Sequence, residues 1–307
     1  ILRYMGAAVI SIINMKGGVG KTTLTKEVGY HLAKVKNKKV LLIDIDPQIN
    51  LTQSIFKRFG YAQSEQIARN IKLESASKAD LQVSTASIKN VLNGSVSNEN
   101  PASLESSILN IPDTNLSIIP GELGLEFINR NLNSSQLENG LFNFIQKNKL
   151  REKYDYILID CPPTYSSYTI AALKPSDFYI IPVKPEAYSI LGINMLQKVV
   201  KEIVSNNDVY YQNRDLINLG IILTAVRDEG KETIGIENLI EDIKNSETLN
   251  KNKISVFQNR FLYNPNFQKN MSYFIDDSRS EKNSKPNLEN LTNELMARIK
   301  GSRNANN

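Results

Sequence analysis

The stretch VISIINMKGGVGKTT, from Val9 to Thr23, decides the fold. Val9 to Asn14 is a short apolar, β-branched run, the signature of a strand buried on both faces. Gly17, Gly18 and Gly20 then break the pattern, and a helical period follows from about Thr22 to Lys36, with Leu24, Val28, His31, Leu32 and Val35 near one face. Strand, glycine loop and helix in that order build an anion cradle. Successive backbone N–H groups turn inward, the helix N-terminus adds partial positive charge, and glycines let the backbone approach phosphate oxygens closely. In such a loop Lys21 reaches the β- and γ-phosphates and the Thr22 hydroxyl ligates Mg²⁺. The pattern G-x-x-x-x-G-K-[ST] fails at its first position, which is Met15, and the loop carries Lys16 besides.

Outward from the loop, strand and helix periods keep alternating. Lys39–Ile45, Leu116–Ile119, Tyr156–Asp160, Phe178–Val183 and Leu219–Leu223 read as strands. Helical patterns lie between several of them, as at Gln136–Lys147 and Ile190–Val204. Strands apolar on both faces that alternate with helices predict a doubly wound, mostly parallel α/β sheet flanked by helices. The chain reads as a single domain over residues 1–307. Residues 62–113, rich in Ser, Asn and Lys, read as a polar surface insertion of short helices and loops. Residues 276–287 read as a loop. A last helix over about 287–300 places Leu288, Leu291, Leu295 and Ile299 on one apolar face.

Composition narrows the chemistry. The single histidine, His31, and single cysteine, Cys161, cannot build a disulfide framework or a His/Cys metal site within one chain. A Ser-His-Asp triad would need His31, which lies in a helical pattern. No apolar run approaches the roughly 18 residues of a membrane span, and the N-terminal run feeds straight into the glycine loop rather than a cleavage site. The expected compartment is the cytoplasm.

The loop KGGVGKTT, Lys16 to Thr23, resembles the deviant Walker A motif of the ParA/MinD class of P-loop ATPases. The resemblance implies the nucleotide-binding set Lys16, Gly17, Gly18, Val19, Gly20, Lys21, Thr22 and Thr23, with ATP and Mg²⁺ as cofactors. It also implies that Lys16 crosses the interface of a nucleotide-sandwich homodimer to the partner's phosphates, so that dimerisation depends on ATP. Asp44 and Asp46, in LLIDIDPQ, stand at the carboxyl end of the second strand, where ligands bind in open α/β sheets. The segment resembles the family's D-x-D-P-Q. By that match Asp46 positions the attacking water and Asp44 supports the Mg²⁺ shell. Asp160 closes the apolar strand YDYILID at the Walker B position, which holds Mg²⁺ through water, and the following CPP matches the family's D-x-P-P. Cys161 reads as structural. Lys16, Lys21 and Asp46 form the expected catalytic set, and Thr22, Asp44 and Asp160 the metal set. The segment around Glu186 and Tyr188 also resembles the family, with packing and dimer contact both open as roles. VFQNRFLY, from Val256 to Tyr263, lacks the proline of the family's I-P-R-N segment near the adenine.

Within that class the resemblance implies a partition ATPase with weak intrinsic turnover. ATP-bound dimers would coat nucleoid DNA without sequence preference, and a ParB-like centromere-binding partner would stimulate hydrolysis. Residues 251–307 carry ten Lys+Arg against five Asp+Glu, a surplus equal to the +5 of the whole chain. Arg260, Lys269, Arg279, Lys282 and Lys285 are the candidate DNA contacts. The loop starts at Lys16, with little chain ahead of it for a helix-turn-helix, so sequence-specific repression is disfavoured. The alternative is a MinD-like membrane-associated division-site regulator, which needs an exposed amphipathic helix. The Leu/Ile stripe of the last helix suits core packing instead, so no stable membrane association is expected.

Overall fold

The computed structural model describes residues 6–75, 80–93, 103–125, 133–212, 214–228, 230–279 and 282–305. Its strands are β1 (Ala8–Ile12), β2 (Val40–Asp44), β3 (Tyr61–Ala62), β4 (Gln82–Val83), β5 (Leu109–Asn110), β6 (Leu116–Ile119), β7 (Tyr156–Asp160), β8 (Phe178–Val183), β9 (Ile217–Val226) and β10 (Phe261–Leu262). Eight of them form one sheet in the order β10-β9-β8-β1-β7-β2-β6-β5. Every neighbouring pair is parallel except β5–β6, which is antiparallel. The chain is therefore a mostly parallel doubly wound sheet flanked by helices.

Alternate residues of the central strands feed two cores. Val9 and Ile13 with Leu41 and Ile43 pack on one face, against Leu141, Ile193 and Leu196 of the helices Ser134–Lys147 and Ser189–Asn206. Ala8, Ile10 and Ile12 with Val40 and Leu42 pack on the other, against Leu24, Val28 and Leu32 of the helix Lys21–Lys34. That helix lies close to the sheet because Gly29 has no side chain. A Cβ there would come within 2.5 Å of Leu42 Cδ2 and 3.3 Å of Leu158 Cδ1.

The last helix runs Ser284–Ala305, a turn or so beyond 287–300 at each end. Its Leu288, Leu291, Leu295 and Ile299 are all buried in the second core. Each such side chain contributes about 1.5–3 kcal/mol by leaving water, and the stripe is thus occupied by the protein itself. The segment 62–113 differs from a surface appendage. Ile88, Val91 and Leu92 of the short helix Ile88–Asn93 enter the first core, and β5 completes the edge of the main sheet. The i, i+3, i+4 spacing of those three residues is the apolar face that a polar average concealed. The helix Glu65–Ser75 and the β3–β4 pair lie outside the main sheet.

Parallel pairing aligns the carboxyl ends of the central strands. Ile12 and Asp44 both stand opposite Asp160, on either side of β7. Helices enter from β1 on one face and from β8 on the other, so the topological switch falls at β1, where ligands of such sheets bind.

Candidate nucleotide site

The glycine loop is fixed at its base by Asn14. The Asn14 Nδ2 donates to the Pro182 carbonyl at 2.8 Å, tying the loop to β8, and its Oδ1 accepts the Lys16 N–H at 2.9 Å. At its far end the Thr224 hydroxyl of β9 donates to the Val19 carbonyl at 2.7 Å. Gly18 and Gly20 have φ of 72° and 85°, the left-handed region that side chains disfavour. A Cβ on Gly17 or Gly18 would meet nothing within 4 Å, so this side of the loop is open. Gly20 precedes the helix Lys21–Lys34 and supplies no side-chain cap. The first-turn N–H groups are thereby left to an incoming anion.

Lys21 is buried, and its Nζ donates to the carbonyls of Asn14 and Lys16, each at 3.0 Å. Burial lowers its ammonium below the ordinary lysine value, against the attraction of Asp160. The Thr22 hydroxyl donates to Asp160 Oδ2 at 2.7 Å. Asp160 is fully buried, and its Oδ1 has no hydrogen-bond partner. Burial, then the nearby Asp44 carboxylate, raises the Asp160 carboxyl well above the usual range. An unpartnered buried carboxylate oxygen beside a hydroxyl is a donor set suited to a hard divalent cation that keeps phosphate and water ligands, as Mg²⁺ does.

Asp46 lines the cleft in front of the loop, with its Oδ1 accepting the Gln48 N–H at 2.9 Å. Asp44, expected to support the Mg²⁺ shell, neighbours Asp160 and is hydrogen-bonded to the segment that follows β2. Its Oδ2 accepts the Thr52 N–H at 2.8 Å and the Thr52 hydroxyl at 2.7 Å, and its Oδ1 accepts the Asp46 N–H at 3.3 Å. The carboxylate is fully buried and directed at the start of the helix Asn50–Phe59. Burial pushes it up to about 7 despite the Thr52 hydrogen bonds. β2 ends at Asp44, and the chain turns at Pro47 and Gln48, just after Asp46.

Lys16 stands at the rim, its Nζ paired with Glu186 Oε2, while Lys184 Nζ approaches Glu186 Oε1 at 2.6 Å. The whole cleft measures about 780 Å³. Gly17, Gly18 and Gly20 to Thr23 line one part of it, and Phe261, Tyr263, Phe267 and Met271 line another. The segment lacking the family's proline therefore does border the cleft. Cys161 is buried, with its thiol pushed up by burial and by Asp160, and donates to the Ile159 carbonyl at 3.7 Å.

The expected DNA contacts are not one set. Lys269, Arg279 and Lys282 are exposed and Lys285 is half-buried. Arg260 is buried, with its guanidinium on both Glu237 oxygens at 2.9 Å. It does not belong to an exposed basic face, because a neighbouring acid on the helix Ile234–Lys244 already neutralises it. Asn14, Thr52, Thr224 and Lys184 are not singled out as site residues by the sequence. Only Asn14 carried a signal, as the polar residue ending an apolar strand just before the loop.

A phosphate-cradling loop between β1 and a helix, with a strand-end carboxylate against its threonine, defines a P-loop nucleotide-binding protein. Residues 7–218 match the family described as "AAA domain". An uncharacterized protein of Methanocaldococcus jannaschii is 35% identical over 73% of this chain and 75% of its own length. The sporulation initiation inhibitor protein Soj of Bacillus subtilis is 31% identical over 77% of this chain and 78% of its own. Two solved structures share the fold. One is an ATP complex of a McdA variant from Cyanothece, with a TM-score of 0.70 and 18% identity, covering 95% of this chain and 97% of that one. The other is a putative plasmid partition protein of Borrelia burgdorferi bound to AMPPNP, with a TM-score of 0.65 and 22% identity, covering 95% and 99%. The chain belongs to the ParA/MinD class of P-loop ATPases, on the side of the ParA and Soj proteins.

Proposed function

We propose that the chain is a ParA-type partition ATPase that hydrolyses ATP slowly and acts on nucleoid DNA as an ATP-dependent homodimer. The observation that carries the reading is that Lys21, Thr22 and Asp46 line one cleft, with Asp160 hydrogen-bonded to Thr22 behind it and a second loop lysine, Lys16, at its rim. The loop amides and Lys21 bind the phosphates. Thr22 and Asp160 would hold Mg²⁺, which would supply charge neutralisation for phosphoryl transfer. Asp46 orients the attacking water, and Phe261 to Asn264 border the base. Phosphoryl transfer asks the protein for positioning and charge compensation rather than covalent chemistry, and these side chains offer both.

A second copy facing the rim would bring Lys16 to its phosphates, where one more cation offsets two crowded triphosphates. Tyr188, Leu191 and Met195 support such a face: they follow Glu186 at helical spacing and are all exposed. Lys269, Arg279, Lys282 and Lys285 are the candidate DNA contacts that remain, and a ParB-like partner would stimulate hydrolysis. The buried stripe of the last helix speaks against lipid insertion, and no described helix is long and apolar enough to cross a membrane.

The test measures binding to arbitrary duplex DNA and to anionic liposomes with ATP, ADP and no nucleotide, alongside light scattering of wild type and Lys16→Ala. ATP-dependent, salt-sensitive DNA binding with dimers only for wild type is the expected result. Liposome capture without DNA binding, or equal dimerisation by Lys16→Ala, would overturn it.

A further inference from the structure

Lys16 and Lys184 pair with the same carboxylate at the cleft rim. Glu186 pairs with Lys16 through Oε2 and with Lys184 through Oε1. Its own turn holds it there. The Glu186 N–H donates to Ser189 Oγ at 3.1 Å, and the Ser189 hydroxyl lies 3.0 Å from the Lys184 carbonyl and 2.8 Å from the Glu186 carbonyl. The turn then closes through Tyr188 in the left-handed region, φ 68°, into the helix Ser189–Asn206. The other loop lysine, Lys21, is satisfied by backbone carbonyls. Two cations hold Glu186 below the usual glutamate range, so it stays charged near neutrality.

We propose that Glu186 is a positioning residue that holds Lys16 on its own protomer in place of phosphate, so that dimerisation begins only when a partner's bound ATP outcompetes it. This rests on the reading of Lys16 as the lysine that crosses between protomers. The chemistry is an exchange of anions on one ammonium. Within one protomer a single carboxylate pairs with Lys16, and in the dimer a more highly charged triphosphate takes its place. Lys184, which also lines the cleft, keeps Glu186 neutralised after Lys16 leaves, so the release strands no carboxylate. The side chains are partly exposed, 45% for Lys16 and 35% for Glu186. The latch is therefore weak, and it tunes a threshold rather than blocking assembly.

The direction of the effect separates this role from others. If Glu186 were a contact across the dimer, or a support for the turn, its loss would weaken dimerisation. As a latch, its loss strengthens it. The experiment is light scattering across an ATP titration for wild type, Glu186→Gln, Glu186→Asp and Lys16→Ala, each at low and high salt. Glu186→Gln is expected to dimerise at about 1.5- to fivefold lower ATP than wild type, the range set by weak exposed ion pairs. Glu186→Asp, which keeps the charge, is expected to return the threshold towards wild type. The ratio between Glu186→Gln and wild type is expected to fall towards one at about 1 M salt, where exposed charges are screened. An unchanged or raised threshold in Glu186→Gln, with wild type dimerising normally, overturns the latch alone. Failure of wild type to dimerise with ATP, or dimerisation by Lys16→Ala at the wild-type threshold, overturns the reading on which it rests.

Discussion

Asp44 accepts two hydrogen bonds from Thr52, one from the backbone N–H at 2.8 Å and one from the hydroxyl at 2.7 Å. The same hydroxyl accepts the Gly121 N–H at 2.7 Å, and Asp44 also accepts the Asp46 N–H. One buried carboxylate thus joins the end of β2, the start of the helix Asn50–Phe59 and the segment after β6. Packing is close here: a Cβ on Gly121 would lie 2.7 Å from Ile49 Cγ2 and 3.1 Å from Asp44 Cγ. Asp44 fixes the backbone from which Asp46 reaches the cleft.

Thr52→Val removes the hydroxyl and keeps the shape. It leaves the Gly121 N–H without its acceptor and Asp44 with one fewer donor, a loss of roughly 1–3 kcal/mol. The melting temperature is expected to fall by roughly 2–4 °C for each kcal/mol lost. If Asp44 positions Asp46, ATP turnover should fall while Mg²⁺–nucleotide affinity stays near wild type. Calorimetric melting and nucleotide titration read the two effects apart, and a matching loss of affinity would place Asp44 in the metal shell.

Asp160→Asn tests the metal assignment. The amide can still meet the Thr22 hydroxyl but has no charge for the cation. Nucleotide binding without Mg²⁺ should persist, and the strengthening that Mg²⁺ brings should drop by about 10–100-fold, as for outer-shell ligands. Titrating a fluorescent ATP analogue with and without Mg²⁺ checks this. Full Mg²⁺ dependence in the variant would place the cation elsewhere.

Glu27 gives a prediction in pH. It is fully buried between Lys26, 3.2 Å away, and the Ile275 N–H, which donates to it at 2.9 Å. Burial, opposed by Lys26, raises its carboxyl from 4.5 to about 7. A raised folded-state value means that the group's stabilising contribution is complete below 4.5 and is lost as pH rises through 7. Glu27→Gln cannot ionise, so its melting temperature relative to wild type should climb between pH 4.5 and about 7 and then level off. A difference that stays flat would show that Glu27 ionises normally, and one that falls with pH would show a lowered carboxyl.

Much of this was legible in the sequence, and the reasons are physical. The central strands were readable because burial on both faces leaves uninterrupted apolar runs, and Leu116–Ile119, Tyr156–Asp160 and Phe178–Val183 match to the residue. The glycine loop was readable because chemistry and backbone geometry both constrain it. Two-residue strands such as β5 and β10 were not, since they are set by the neighbours they pair with rather than by any local period. The partners of Asp44 and Arg260 were equally hidden. Thr52 lies eight residues from Asp44, and Glu237 lies 23 residues before Arg260. A count of charges along the chain cannot say which of them the fold neutralises.

That distinction bears on the proposed DNA-binding face. Lys282 and Lys285 flank the start of the last helix, at exposed and half-buried positions. Replacing both with alanine should weaken duplex binding uniformly across sequences and flatten the dependence of log affinity on log salt by about one unit per lost phosphate contact. Arg260→Ala should act otherwise. Its guanidinium is bound to Glu237, so its loss should destabilise the fold by roughly 1.5–3 kcal/mol, as expected for hydrogen bonds between charged groups. The salt slope should not change. Binding isotherms from about 50 to 200 mM salt, paired with thermal melts, measure both variants. If Arg260→Ala flattened the slope and the double lysine variant did not, the DNA-facing surface would lie near the helix Ile234–Lys244 rather than at the start of the last helix.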